Sequence, residues 1–338
     1  LRFWNKTDLS KTNYDLFVEY YRLFMNTGDC DPAFPALNYI SDRNELNLEQ
    51  RYWLAFLYGT CYCAPTAYYI YNEFPDFENV NLSRFKRWWK ANKKKTFFQT
   101  DRAKVKNFDL LPKLIESYID TVGSCQESAI KENKDYEGLY EFLSSLYYFG
   151  RFSLFNYTQG LWELTNLEIE PTFFNLKEAK SCKDGLAYVV SKEKYLSNSK
   201  EKIKVDYQEL TTDFDNLHQD LKTRFPKIPV NIWNIETALC AYKKLFRGKR
   251  YLGYYIDRQQ EEIIRLQDNV KQGVDWQLLW DFRKEFYDTN LIGELNGWKG
   301  VRKERFQLFE GGRRFGNYKD FTKYKRKVKF KTGECYDI

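Results

Sequence analysis

The sequence predicts a mainly α protein, a helical bundle-like domain with few short strands and a basic C-terminal extension. Apolar residues recur at helical spacing along most of the chain, bounded by capping residues and proline. Strand signals are limited to two short runs, "GLAYVV" near 185–190 and "VKFK" at 328–331. Charge is uneven: Lys299 to Lys331 holds thirteen Lys and Arg against Glu304, Glu310 and Asp320, a balance of +10 in a chain of net +7. The expected organisation is a helical domain over 1–297 followed by the basic, aromatic-rich extension 298–338.

The elements follow in chain order. In "LNLEQRYWLAFLYG", Asn47 stands as an N-cap with Gln50 three residues on, and Gly59 closes an aromatic-rich stripe. In "APTAYYIYNEF", Pro65 falls in a first helical turn, where its missing N–H costs nothing. "LSRFKRWWKANKKK" offers Ser83 as a cap and a basic tail. Further helices are expected over 108–121, 135–149, 203–223, 233–246, 256–270 and 274–288, with 150–200 the least regular segment.

Composition narrows the class. A hydrophobic share of 43% supports a real core, and the aromatic share of 19% makes Phe, Tyr and Trp much of it. No apolar run reaches the roughly 18–20 residues of a membrane span, and "LRFWNKTDLSKTNYDLF" is too polar for a secretory signal. Seven scattered cysteines point to reduced thiols and an intracellular protein. The basic end, interleaved with aromatics, suits a polyanion such as nucleic acid, although a solubilising terminus has the same composition.

Several chemistries are excluded. His218 is the only histidine, so a multi-His metal site is ruled out, and its polar helical setting suggests a surface or capping residue. Cys61 and Cys63 have no second pair at zinc spacing and sit among aromatics, as packed thiols do. Neither a P-loop nor a dinucleotide-binding glycine motif occurs. No tightly bound metal or cofactor is expected.

The stretch "CAYKKLFRGKRYLGYYIDRQQEEIIRL" is the richest in chemistry. Wound as a helix, Ile235, Leu239, Tyr242 and Phe246 make an apolar stripe, while Glu236, Cys240, Lys243, Lys244 and Arg247 share the opposite flank. Gly248 falls where a left-handed C-cap would sit, and a second helix starts near Tyr255 or Ile256 after Gly253. Unpaired N–H groups at that start suit a phosphate, with Arg247, Lys249 and Arg250 able to clamp a pyrophosphate. Asp257, in the first turn, either caps the helix or serves as a general base. Arg258 and Glu262, four apart, read as a surface ion pair.

The block "ETALCAYKKLFRGKRYLGYYIDRQQEEI", with "LNLEQRYWLAFLYGTCYCAPTAYYIYNEFP" and "RFKRWWKANKKKTFFQTDRAKVK", resembles a bacteriophage-type family that hypermodifies thymine in DNA. These are the α-glutamyl/putrescinyl-thymine pyrophosphorylase-like proteins, related to the amino acid:DNA transferases. The resemblance covers about residues 40–290 and implies a fold related to the helix–hairpin–helix DNA glycosylases. It implies a transferase in the cytoplasm of an infected bacterium that acts on double-stranded DNA. In that reaction an amine or amino acid replaces the pyrophosphate on activated 5-hydroxymethyluracil, and Mg²⁺ can accompany the pyrophosphate. Carried onto this sequence, Lys243, Arg247, Lys249 and Arg250 would face the leaving group, with Gly248, Gly253 and Arg258 in the same phosphate- or DNA-binding set. Asp257, then Glu236, would accept the amine proton; Tyr254 and Tyr255 would hold an extruded base, with Trp53 either joining them or packing in the core; Gln99, Asp101 and Arg102 would lie at the DNA or substrate surface, and Cys240 near the site. A non-catalytic DNA-binding or phage structural protein, or a base-excising glycosylase using an Asp, would share these features.

Overall fold

A computed structural model describes residues 13–107, 109–133, 135–172, 176–190, 206–246, 250 and 253–287. In chain order the helices are α1 (Asn13–Asn26), α2 (Ala33–Arg43), α3 (Leu48–Cys61), α4 (Ala64–Glu73), α5 (Leu82–Asn92) and a 3₁₀ helix (Thr100–Lys106). Then come α6 (Leu110–Val122), α7 (Gln126–Lys131), α8 (Tyr136–Ser144), α9 (Arg151–Thr165) and α10 (Lys180–Val190). The last are α11 (Tyr207–Arg224), α12 (Ile232–Phe246), α13 (Tyr254–Asn269) and α14 (Gln277–Phe286). The protein is mainly helical, and no strand forms among the described residues. The chain divides into two compact units: Leu1–Pro32, Phe173–Arg258 and Lys284–Ile338 make the first, Ala33–Thr172 and Gln259–Arg283 the second.

The second unit is built around α3. Asn47 and Gln50 close a reciprocal capping box, each side chain accepting the other's backbone N–H at 3.0 Å, which satisfies two donors the helix leaves open. Every residue from Tyr52 to Cys61 is buried, the mark of a central helix rather than an amphipathic one. Its closest neighbour is α9, and small residues permit the approach. A Cβ on Gly59 would stand 2.9 Å from Tyr157 Cβ, and one on Gly160 3.1 Å from Ala55 Cβ. Gly59 is therefore a packing position, not a terminator; α3 runs on to Cys61 and stops at Tyr62, which is left-handed at φ 51°. Segment 150–200, read as the least regular, contains α9 and α10.

Aromatic rings fill this core. Phe56 stacks on Tyr118 with centroids 3.7 Å apart, and Trp53 stacks on Phe56 at 5.5 Å. Trp53 is wholly buried, its indole N–H donating to the Phe74 carbonyl at 2.7 Å, so it is a core residue and not a platform for an extruded base. Tyr118 and Tyr157 share a 2.6 Å hydroxyl contact, and Tyr118 donates to Gln126 Oε1 at 2.8 Å. Pro65 lies in the first turn of α4 as predicted. Asn81 rather than Ser83 caps α5, accepting the Arg84 N–H at 2.8 Å. Cys61 donates to the Cys63 carbonyl at 3.3 Å, and burial pushes its thiol up to about 12, consistent with packed thiols.

The first unit packs α1 and α10 against α12. Phe17 meets Tyr242 edge-on at 5.2 Å, and Tyr20 stacks on Phe24 at 5.2 Å. The run "GLAYVV", expected as a strand, belongs to helix α10, because packing on α12 overrides the β preference of its Tyr and Val residues. The second expected strand, 328–331, lies outside the described residues. His218 sits half-buried in mid-α11 with its ring 6.3 Å from that of Phe214, so it is not a capping residue.

Candidate functional site at the start of α13

The turn after α1 organises the site within the first unit. Gly28 takes φ 70° and Asp31 φ 44°, which reverses the chain through Gly28-Asp29-Cys30-Asp31. The N–H groups of Asp29 and Cys30 both reach the Phe24 carbonyl, at 3.2 and 3.3 Å. Asp29, with no exposed surface, accepts the backbone N–H of Gly253 at 2.7 Å, Tyr255 at 2.8 Å and Ile256 at 3.1 Å. A buried carboxylate is costly unless its charge is matched, and three donors at the positive end of a helix match it. The anion expected at this helix start is therefore the protein's own carboxylate, from over two hundred residues earlier in the chain. Gly253 caps the helix through Asp29 instead of offering its N–H to a phosphate.

The same turn holds α12. Asp31 accepts from the Thr237 hydroxyl at 2.7 Å, and the Cys30 thiol contacts Asn234 Oδ1 at 3.7 Å. Asn234 is itself fixed by Asn231, which accepts its N–H at 2.9 Å, and by the Pro229 carbonyl at 3.0 Å. On α12 it is therefore Asn234 and Thr237 that face this turn. Burial holds the Tyr255 hydroxyl well above its ordinary range; the Arg250 charge opposes this, Cys240 adds to it, Arg258 opposes it and Asp31 adds to it. Burial likewise raises Tyr20, aided by Asp29, Tyr255 and Cys30 and opposed by Arg250. Arg250, half-buried, lays its guanidinium over the Tyr254 ring at 3.8 Å and lies 5.7 Å from that of Tyr255. Arg258, also half-buried, stands 5.6 Å from the Tyr255 ring.

The predicted residues separate into groups. Arg250, Tyr254, Tyr255, Asp257 and Arg258 gather at the start of α13; Asp257 has no exposed surface, and Tyr254 and Tyr255 are buried beside Arg250 rather than open to an extruded base. Glu236 and Cys240 keep part of their surface on α12, and the Cys240 thiol contacts Ser181 Oγ at 3.2 Å. Ile235, Leu239 and Tyr242 form the expected buried stripe. Lys243 departs from expectation: it is 5% exposed and paired with Asp184 at 3.2 Å, so its charge is neutralised in the fold. Arg247, Gly248 and Lys249 lie outside the described residues, as does the side chain of Asp101.

The other two members of the polar cluster, Gln99 and Arg102, are structural in the second unit. Gln99 donates its amide to Glu262, and the Arg102 Nε–H donates to the Thr60 carbonyl at 3.0 Å with the residue 6% exposed. Glu262 is likewise buried, which corrects its reading as half of a surface ion pair.

Sequence reasoning missed Asp29, Cys30 and Asp31. "GDCDP" reads as ordinary turn chemistry, and nothing in its spacing ties it to Gly253. Among the described residues no group of three His, Cys, Asp or Glu is placed to hold a metal ion, and no helix is long and apolar enough to cross a membrane.

With this geometry in place, comparison with known proteins gives the class: a transferase that modifies DNA. The chain belongs to the amino acid:DNA transferase family, which matches residues 25–251 and so takes in the Asp29 turn, α12 and Arg250. It is similar to the serinyltransferase of Salmonella phage ViI, with 27% identity over 291 residues, 78% of this chain and 70% of that protein.

Proposed function

We propose that the protein transfers an amino acid to thymine-derived bases of double-stranded DNA whose 5-hydroxymethyl group is activated as a pyrophosphate ester. The amine nitrogen forms a bond to the methylene carbon. The carbon–oxygen bond breaks with its electrons leaving on pyrophosphate, and the amine proton passes to a carboxylate. The observation that carries the site assignment is the Arg250 guanidinium laid over Tyr254, at the edge of a helix start already neutralised by Asp29.

Arg250 and Arg258, with Arg247 and Lys249 from the same stretch, stabilise the growing charge on pyrophosphate. Mg²⁺ would arrive on the pyrophosphate oxygens, which supply most of its ligands. Glu236 becomes the first choice for proton acceptor, since it keeps exposed surface while Asp257 has none. Asp257 acts as a positioning carboxylate in the first turn of α13, and Tyr254 and Tyr255 hold the arginine. The name of the phage relative makes serine the first amino acid to test.

The test is direct. DNA carrying pyrophosphorylated hydroxymethyluracil is incubated with the protein and an amino-acid pool containing serine, digested to nucleosides and weighed. A nucleoside in which the amino acid has replaced pyrophosphate is expected. Abasic sites would identify a glycosylase, and an unchanged mass would leave DNA binding alone. Arg250→Ala should cut turnover roughly a hundredfold to a thousandfold, as loss of one such contact does. Glu236→Gln should lower turnover with partial rescue at higher pH, where more of the amine is neutral, and Arg250→Ala should show no rescue.

A further inference from the structure

In the second unit, α5 is divided sharply between two faces. Phe85 and Trp89 are wholly buried, while Arg87 and Lys90 on the helix and Lys94 just beyond it are exposed at spacings of three and four residues. The 93–97 segment that follows is held rigidly. Thr66 donates to the Phe97 carbonyl at 2.6 Å and accepts its N–H at 3.1 Å; Lys106 reaches the Thr96 carbonyl at 2.5 Å, and Asn269 the Lys95 carbonyl at 3.1 Å. Arg265 lays its guanidinium over the half-exposed Phe97 ring at 4.2 Å. Three elements thus bring cations to one place: the end of α5, the 3₁₀ helix and α13.

We propose that this face, with Lys90, Lys94, Lys95, Lys106 and Arg265 around Phe97, is the track that grips the phosphate backbone of duplex DNA. The assignment rests on the reading of the protein as an enzyme acting on DNA, and it gives that substrate a binding surface. Burial lowers the Lys106 ammonium, and the charges of Arg265 and Lys93 lower it further; cations that repel one another on a surface are relieved by a polyanion. The run from Arg87 to Lys94 spans about 10 Å at helical rise, and at about 3.4 Å of duplex axis per phosphate of one strand it matches roughly three phosphates. The Arg265–Phe97 pair stiffens one cation, so less of its freedom is lost on binding.

The test uses the full chain and an unmodified 20-base-pair duplex, with affinity followed by fluorescence anisotropy from 50 to 200 mM NaCl (about the range over which such contacts are resolved). In Lys94→Gln/Lys95→Gln/Arg265→Gln the magnitude of the log–log salt slope should fall by roughly 2.7, at about 0.9 per phosphate contact. A control that removes the same charge elsewhere, Lys113→Gln/Lys131→Gln/Lys222→Gln, should keep the wild-type slope. All the substituted side chains are exposed, and thermal melting verifies that each variant is folded. A wild-type slope in the first variant, or an equal fall in the control, overturns the proposal. Unmodified DNA cannot undergo transfer, so this outcome is independent of whether the wild-type protein forms the proposed product.

Discussion

Asp29 decides the geometry of the site through three hydrogen bonds to the first turn of α13, all made without exposed surface. Its removal would leave three buried N–H groups and a helix end without their acceptor. Leaving one buried group unmatched costs about 1–3 kcal/mol, so Asp29→Ala should lose on the order of 3 kcal/mol, and Asp29→Asn, which keeps one carbonyl oxygen, should lose less. Urea unfolding reads this as a lower midpoint at unchanged slope. Equal midpoints for Ala and wild type would show that water replaces the carboxylate at no cost. This residue was invisible to sequence patterning because the bond joins positions 29 and 253, whereas capping rules look only a few residues away. Lys243 failed for a related reason. Helical spacing placed it correctly on α12, but its charge is cancelled by Asp184 on α10, a helix whose following residues, 185–190, were expected as a strand.

Helices were legible wherever the local signal and the packing agree. The Asn47–Gln50 capping box, Pro65 in the first turn of α4 and the buried stripe of α12 all follow from residues within a turn or two of each other. Helix α10 was not legible, because its identity is set by contact with α12. Ser181 meets Cys240 and Asp184 meets Lys243, two pairs each three residues apart, so the helices lock in register. Gly185 permits this: a Cβ there would stand 2.2 Å from the Leu239 carbonyl oxygen. Two effects oppose each other in Gly185→Ala. Alanine gains about 1 kcal/mol of helix propensity, while the clash is with backbone, which cannot rotate aside, and overpacking costs about 1–3 kcal/mol or more. The clash should win, with net destabilisation and weakened Asp184–Lys243 and Ser181–Cys240 contacts. A melting temperature at or above wild type would mean that the two helices separate freely.

Across the whole molecule, the aromatic share of 19% places many tyrosine hydroxyls inside the protein, and this sets its response to alkali. Burial pushes Tyr52 and Tyr71 up to about 12 from an ordinary 10.0, and Cys61 up to about 12 from 9.0. Tyr20, Tyr118, Tyr157 and Tyr242 are raised by burial as well, with Tyr118 lowered in part by its bond to Tyr157. In every case the neutral form is favoured by the fold. Between the ordinary value and the raised one, the unfolded chain has lost the proton that the folded chain retains, so unfolding gains free energy as pH rises. The stabilisation is fully present below about pH 9–10 and disappears progressively above it, by about 1.4 kcal/mol per pH unit for each group inside its window. Several such groups titrate over the same range, so the slope should be steep. The melting temperature should stay level from neutral pH to about pH 9, then fall sharply beyond pH 10, with the buried hydroxyls' share of the tyrosinate absorbance rising only as the protein unfolds. A melting temperature that remains level to pH 11, or tyrosinate absorbance that rises fully before unfolding, would show that these hydroxyls ionise freely in the folded state.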